Sequence, residues 1–207
     1  MVPKPNLKFE DTLHSSYQWI AGLDEAGRGA LAGPVCVGAV ILPNDSHLSR
    51  TLGGARDSKL LTPRERDALA PRIKEIALTW GIAFASSEEI DTLGIVAATR
   101  LAALRAIESL SVFPDYLLTD FRLELPELDV PQTAIVKGDQ KSLSIACASI
   151  LAKTARDEYM SGLDLQFPNY GLGKHKGYGT QAHRSALMRL GYSSIHRKTF
   201  QFKDKRG

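Results

Sequence analysis

A chain of 207 residues with 43% hydrophobic side chains is long enough for one domain with a sizeable core and a small appendage. A formal net charge of +3 and an isoelectric point near 8.8 make it only mildly basic. No apolar run approaches the roughly 18 residues of a membrane span, and the N-terminus carries no apolar signal stretch, so we expect a soluble, cytoplasmic protein. The two cysteines, Cys36 and Cys147, sit in apolar runs without zinc-type spacing. They read as small buried hydrophobes in a reducing compartment, which sets aside a disulfide scaffold.

Met1 to about Tyr17 reads as a loosely ordered lead-in. From Ile20 to Val37 the chain runs I-A-G-L-D-E-A-G-R-G-A-L-A-G-P-V-C-V. The pattern is strand, acidic strand end, glycine loop, strand. Asp24 and Glu25 stand directly before Gly27-Arg28-Gly29, whose glycines allow close backbone approach. Arg28 is a forked donor suited to phosphate. Carboxylates beside a phosphate-reading loop point to a Mg²⁺ or Mn²⁺ site acting on a phosphodiester. The same residues also form ordinary turn chemistry. Neighbours on a regular strand point to opposite faces, so both carboxylates reach one ion only if the strand ends or bulges there.

Val35–Leu42 is a β-branched strand, turned back on the first by Gly33-Pro34. A polar loop carries Asp57-Ser58-Lys59. Thr62-Pro63-Arg64-Glu65 opens a helix with a capping box, and Pro71 should break or kink it. Trp80–Ser86 is a third strand. Residues from Ser87 open a helical region, and a longer helix over about Ile95–Leu110 sets Leu101, Leu104 and Ile107 against Arg100, Arg105 and Glu108. Tyr116–Asp120 is a short strand ending in a carboxylate, where ligands of α/β sheets gather, so Asp120 is a candidate third ligand. Ala134–Val136 is another short strand, followed by Lys137-Gly138-Asp139. Ser142 caps a helix running past Lys153, Arg156 and Asp157, the last spaced for an ion pair with Lys153.

Basic residues crowd the last quarter: Lys174, Lys176, Arg184, Arg189, Arg197, Lys198, Lys203, Lys205 and Arg206 against Asp204, with His175, His183 and His196 among them. Beside an acidic metal site this suits an anionic polymer. Gly173–Thr180 interleaves glycines with Lys, His and Tyr178, a mixture of cations and stacking surfaces fit for nucleic acid. Thr180 caps a final helix ending at Leu190-Gly191.

Together these residues resemble the bacterial ribonuclease HII family. The likeness spans roughly Ile20 to Phe200 and rests on six ordered motifs: G-L-D-E-A-G-R-G-A-L-A-G-P-V, D-S-K with L-T-P, K-G-D, A-S-I-L-A-K-T-A-R-D, H-K-G-Y-G-T and H-R-K-T-F. The resemblance implies an α/β, RNase H-like fold: a central mixed five-stranded sheet flanked by helices. It divides the chain into a lead-in over 1–17, a catalytic domain over 18–160 and a small, basic, helical substrate-binding portion over 161–207. It implies hydrolysis of the RNA strand of RNA–DNA hybrids and incision 5′ of single ribonucleotides in duplex DNA, leaving 3′-hydroxyl and 5′-phosphate ends.

By motif, Asp24, Glu25, Asp120 and Asp139 would hold two divalent ions, Mn²⁺ or Mg²⁺, and carry catalysis. Gly27, Arg28 and Gly29 would read the ribonucleotide, and Tyr178 would stack at the RNA–DNA junction. Asp157 and Lys59 are candidate supporting residues. The protein is expected to act as a monomer away from membranes. Phe200-Gln201-Phe202 can be read as a tag for a sliding clamp or as a packed tail. Three positions depart from the family pattern: Ala30 for a usual proline, Phe121-Arg122 for a usual glycine, and Gly94 for a common asparagine. The rival readings are an RNase H-like nuclease without junction preference and a hybrid-binding module without catalysis.

Overall fold

The computed structural model describes residues 4–120 and 123–200. Five strands make one mixed sheet: β1 (Ile20–Ala26), β2 (Val35–Ile41), β3 (Thr79–Ala85), β4 (Tyr116–Asp120) and β5 (Gln132–Ile135). The strand order is β3-β2-β1-β4-β5. β1, β2 and β3 form an antiparallel meander, and β4 and β5 add in parallel beyond β1. The helices are α1 (Lys8–Leu13), α2 (Leu48–Thr51), α3 (Pro63–Ile76), α4 (Ser87–Leu93), α5 (Ile95–Glu108), α6 (Leu143–Gln166), α7 (Leu172–His175) and α8 (Gln181–Leu190). Tight 3-10 turns cover Ser58–Leu60 and Gly138–Gln140. The RNase H-like, mixed five-stranded sheet flanked by helices is therefore as expected.

Helix starts follow their capping chemistry. Thr62 with Glu65 and Ser86 with Glu89 form complete capping boxes, while Ser142 and Thr180 cap α6 and α8. The sheet is buried on both faces. α5 covers one, sharing a core with Leu23, Val37, Ala39 and Leu117. α6 covers the other, where Leu143, Cys147, Ala148 and Leu151 pack with Val40. Both cysteines are buried and unbridged.

Four local expectations need correction. Pro71 does not end its helix: α3 runs through it to Ile76. The carbonyl it leaves without a helical donor belongs to Asp67, which is exposed to water, while Leu69, Ala70 and Ile73 stay anchored in the core. The inward face of α5 is not the leucine stripe but Ala98, Ala102, Ala103, Ala106 and Ile107; Leu101 and Leu104 lie half-buried beside it. The helix lies so close to the sheet that a Cβ on Gly81 would sit 2.0 Å from the Ala106 carbonyl oxygen.

The lead-in is docked over residues 4–17. Glu10 of α1 is buried, and its Oε1 accepts hydrogen bonds from the Ser142 and Ser144 hydroxyls, both 2.6 Å, and from the Ser144 amide at 3.0 Å. A carboxylate there meets the orphan N–H groups and positive end of α6. Finally, α6 continues unbroken past 160, so the C-terminal portion grows out of the same helix that floors the sheet.

Candidate active site

β4 stops at Asp120, one residue beyond the partner of Leu23, so β1 runs on past its parallel neighbour. Asp24 and Glu25 occupy that overhang. β1 neither ends nor bulges at them: Asp24 faces Gly38 and Glu25 faces Val37 in regular register with β2. The two side chains therefore leave opposite faces. Asp24 lies on the α6 face, 4% exposed and hydrogen-bonded to Ser149. Glu25 lies on the other face with the Arg28 guanidinium 3.6 Å away. Asp120, at the edge between them, acts electrostatically on both.

Asp120 accepts a hydrogen bond from the Gly138 amide at 2.8 Å. Lys137 in the left-handed region (φ 55°) makes the turn that brings this amide back and sets Asp139 into the group. Burial pushes the Asp24 carboxyl well up, and Glu25, Asp120 and Asp139 push it further against the pull of Ser149. Glu25 is raised by burial, with Arg28 opposing. Asp139 is raised to about 6 by burial and then by Asp57 and Asp120. Burial would lower the exposed Lys59, but Asp24, Asp57, Asp139 and Glu25 together raise it. The four candidate ligands thus form one electrostatic group with Lys59 at its rim.

Asp57, passed over as a loop residue, belongs to the same group. It caps the Ser58–Leu60 turn through the Lys59 amide, accepts from Gln140 at 3.3 Å and shares a hydrogen bond with Asp139. Its D-S-K motif was the signal. Asp157 is held elsewhere, between Arg66 at 2.9 Å and Lys153 at 2.7 Å, which favours the ion-pair reading of its spacing.

Two buried arginines were also missed. Arg156 of α6 donates to the carbonyls of Pro34, Lys176 and Ala32 at 2.8, 2.9 and 3.1 Å. Arg197 donates to those of Gly33, Arg28 and Gly27 at 3.0, 2.8 and 2.8 Å. Both are fully buried, and desolvation lowers both, Arg197 to about 9. Together they brace the loop from Gly27 to Pro34. Gly27 itself needs to be glycine: φ is +89°, and a Cβ would lie 1.8 Å from the Arg156 Nε. Ala30 of this loop pairs with Tyr178, and the Leu31 amide donates to the Gly177 carbonyl at 2.8 Å. The Tyr178 ring has Lys153 and Arg156 over it at 5.2 and 5.3 Å.

The basic C-terminal quarter is less cationic than its composition promised. Arg197 is interior, and His183 and His196 are buried with depressed basicity, His196 at about 4. Phe200 packs on the α5-side core under Arg197, at 5.0 Å; Gln201 and Phe202 lie outside the described residues, as do Phe121-Arg122.

The carboxylate group suits a hard divalent cation. Glu25 Oε2 is buried without a hydrogen-bond partner, and the mutual repulsion recorded by the raised carboxyls is what a cation relieves. Among the described residues no three acidic, histidine or cysteine side chains close into a ready coordination set.

A family model described as Ribonuclease HII matches residues 21–203. The chain belongs to the ribonuclease HII family. A ribonuclease HII of Dehalococcoides mccartyi is 51% identical over 185 residues, covering 87% of this chain and 84% of that protein. The ribonuclease HII in a PCNA:RNase HII complex from Archaeoglobus fulgidus superposes with a TM-score of 0.74 at 26% identity, covering 90% of this chain and 97% of that one. Bst-RNase HIII in complex with Mn²⁺ shares the fold at a TM-score of 0.61 and 18% identity, over 84% of this chain and 63% of that one. As a member of the ribonuclease HII family, the protein is a type 2 ribonuclease H, a phosphodiester hydrolase acting on RNA–DNA hybrids. Nucleases of this class use divalent metal ions.

Proposed function

We propose that this ribonuclease HII incises duplex DNA on the 5′ side of a single embedded ribonucleotide, as well as cutting continuous hybrids, and leaves 3′-hydroxyl and 5′-phosphate ends. One observation carries the reading: the Gly27–Gly29 loop and Tyr178 are pinned side by side through the pairing of Ala30 with Tyr178, next to the carboxylates ending β1 and β4. A 2′-hydroxyl is the group that tells a ribonucleotide from DNA. Backbone groups of Gly27, Arg28 and Gly29 are suited to read it, because a glycine backbone approaches closely and Arg156 and Arg197 hold this one rigid. Tyr178 offers its ring to the adjoining deoxyribose. Lysines of the C-terminal quarter would follow phosphates, so affinity should fall with salt.

Asp24, Glu25, Asp120 and Asp139 would hold two divalent ions, Mg²⁺ or Mn²⁺. Bound there, such ions supply a water of lowered pKa and stabilisation of the leaving 3′-oxygen. Asp24 and Asp139 are held close enough to oppose each other's ionisation, and Lys59 stands where it offsets their charge before substrate arrives. The chain is expected to work as a monomer. Clamp docking finds no support in Phe200, which packs inward.

The test is cleavage of a DNA duplex carrying one ribonucleotide, with Mg²⁺, with Mn²⁺ and with chelator. A single nick 5′ of the ribonucleotide, lost in chelator and lost in Asp24→Asn while hybrid binding persists, is the expected result. Cutting confined to continuous hybrids would instead favour a nuclease blind to junctions.

A further inference from the structure

Three histidines are packed together beside Tyr178. His175 and His183 stack with ring centroids 4.3 Å apart, and the Nε2 atoms of His183 and His196 are 3.1 Å apart. His183 is 0% exposed and His196 1%. Their partners fix each proton. The Ser193 amide, which can only donate, meets His196 Nδ1 at 3.0 Å, so that nitrogen is the acceptor and the proton sits on Nε2. His183 Nε2 must then accept from His196, which puts the second proton on His183 Nδ1. That atom faces the Tyr178 carbonyl at 3.0 Å, an acceptor only. The chain of donors closes with both rings neutral. His175 repeats the pattern: its Nε2 donates to the Tyr170 carbonyl at 2.8 Å, and its Nδ1 accepts from the Gly177 amide at 3.3 Å. Burial and the neighbouring rings depress the basicity of His183 and His196, in keeping with that state.

We propose that His183 and His196 are positioning residues for junction recognition: a neutral imidazole bridge, with His175 stacked on it, holds the Tyr178 backbone and so aims its ring at the substrate. The inference rests on the reading of Tyr178 as the junction-stacking residue. The same bridge ties that residue to the loop that reads the ribonucleotide, because Ala32 pairs with His196 and Ala30 with Tyr178. Neither histidine touches substrate in this scheme; both act through the Tyr178 carbonyl.

The experiment compares kcat/KM on a duplex with one ribonucleotide and on a continuous hybrid for wild type, His183→Leu, His183→Asn, Tyr178→Ala and the pair Tyr178→Ala with His183→Leu. Leucine fills the space and removes both hydrogen bonds; asparagine restores a donor where Nδ1 stood. His183→Leu should lower kcat/KM on the single-ribonucleotide duplex about tenfold, the scale of one positioning hydrogen bond, mainly through KM. Cutting of the continuous hybrid should stay within about twofold, and His183→Asn should recover most of the loss. Added to Tyr178→Ala, His183→Leu should cost nothing further on the junction substrate. Equal losses on both substrates, or full additivity with Tyr178→Ala, would overturn the proposal. A Tyr178→Ala protein that cuts junctions normally would remove the stacking reading and the route proposed here together; loss in Tyr178→Ala with none in His183→Leu would remove the bridge alone. His196→Gln carries the same comparison from the other end of the bridge should the leucine variant not fold.

Discussion

Asp24→Asn should make the metal-free protein more stable while destroying its activity. Asp24 is 4% exposed, and burial, Glu25, Asp120 and Asp139 all raise it from its ordinary 3.8. A carboxyl whose folded value is raised carries a stability cost when it ionises at neutral pH. Asparagine carries no charge and keeps the oxygen that accepts from the Glu25 amide at 2.8 Å. Its own buried amide takes back part of the gain, which leaves a net effect on the order of 1 kcal/mol, the usual scale of a single substitution. For a chain of this size that is roughly 2–4 °C in Tm. The sign follows from the direction of the shift. Because the folded value is raised, the native state binds more protons than the unfolded chain between 3.8 and the raised value. Wild-type stability from this group therefore falls as pH rises through that window, and the asparagine advantage shrinks on acidification. Saturating Mn²⁺ reverses the order, since binding at about a hundredfold Kd adds about 2.7 kcal/mol to the protein that retains the ligand. Thermal unfolding in chelator at about pH 7 and about pH 5, repeated with Mn²⁺, measures all of this. An asparagine variant no more stable than wild type in chelator at neutral pH would refute the reasoning.

Gly27→Ala drives a Cβ to 1.8 Å from the Arg156 Nε at a φ of +89°, so its Tm should drop by roughly 5–10 °C with cleavage lost; wild-type melting and cutting would show that the loop has room to spare. Arg156→Gln strands the carbonyls of Ala32, Pro34 and Lys176 and should cost about 3–5 kcal/mol in urea unfolding. Arg156→Lys should recover little of it, because an ammonium cannot match the fork. The histidine bridge should show an acid limb opposite in sign to that of Asp24. His196 is lowered from 6.5 to about 4, so the unfolded chain takes up the proton first, and stability present above 6.5 is lost as pH falls towards 4. The loss is on the order of 3 kcal/mol, and His196→Gln should flatten that limb. The groups facing this ring are His183, His175, Tyr170 and Tyr192, none of them a carboxylate.

Sheet, caps and carboxylates were legible because each is written locally. β-branched runs announce strands, Thr62-Pro63 and Ser142 announce helix starts, and an acid after an apolar run marks a strand end. The failures are non-local. The inward face of α5 could not be told from leucine spacing, because what selects alanine there is the absent side chain of Gly81 on a strand across the core. Asp57 looked like a loop residue until the Gly138–Gln140 turn set Asp139 against it. Arg197 counted towards the basic C-terminal quarter and Arg156 only as a helix residue, since composition cannot show that their partners are backbone carbonyls distant in sequence. The same blindness counted His183 and His196 as part of a basic face.

Those two arginines explain how the reading loop can be both glycine-rich and rigid. A glycine loop left to itself loses much conformational entropy on ordering, so it needs many fixed contacts. Here the contacts come from inside: carbonyls of Gly27, Arg28, Ala32, Gly33 and Pro34 are bound by Arg156 and Arg197. Among the described residues neither guanidinium hydrogen-bonds to a carboxylate; Asp157 acts on Arg156 and Asp91 on Arg197 only at longer range. The result is a pair of buried cations beneath a loop whose carbonyls are turned inward. Backbone N–H groups above buried positive charge favour an anion. In the proposed function the substrate backbone is that anion, and the carboxylates ending β1 and β4 would hold the cations that cut it.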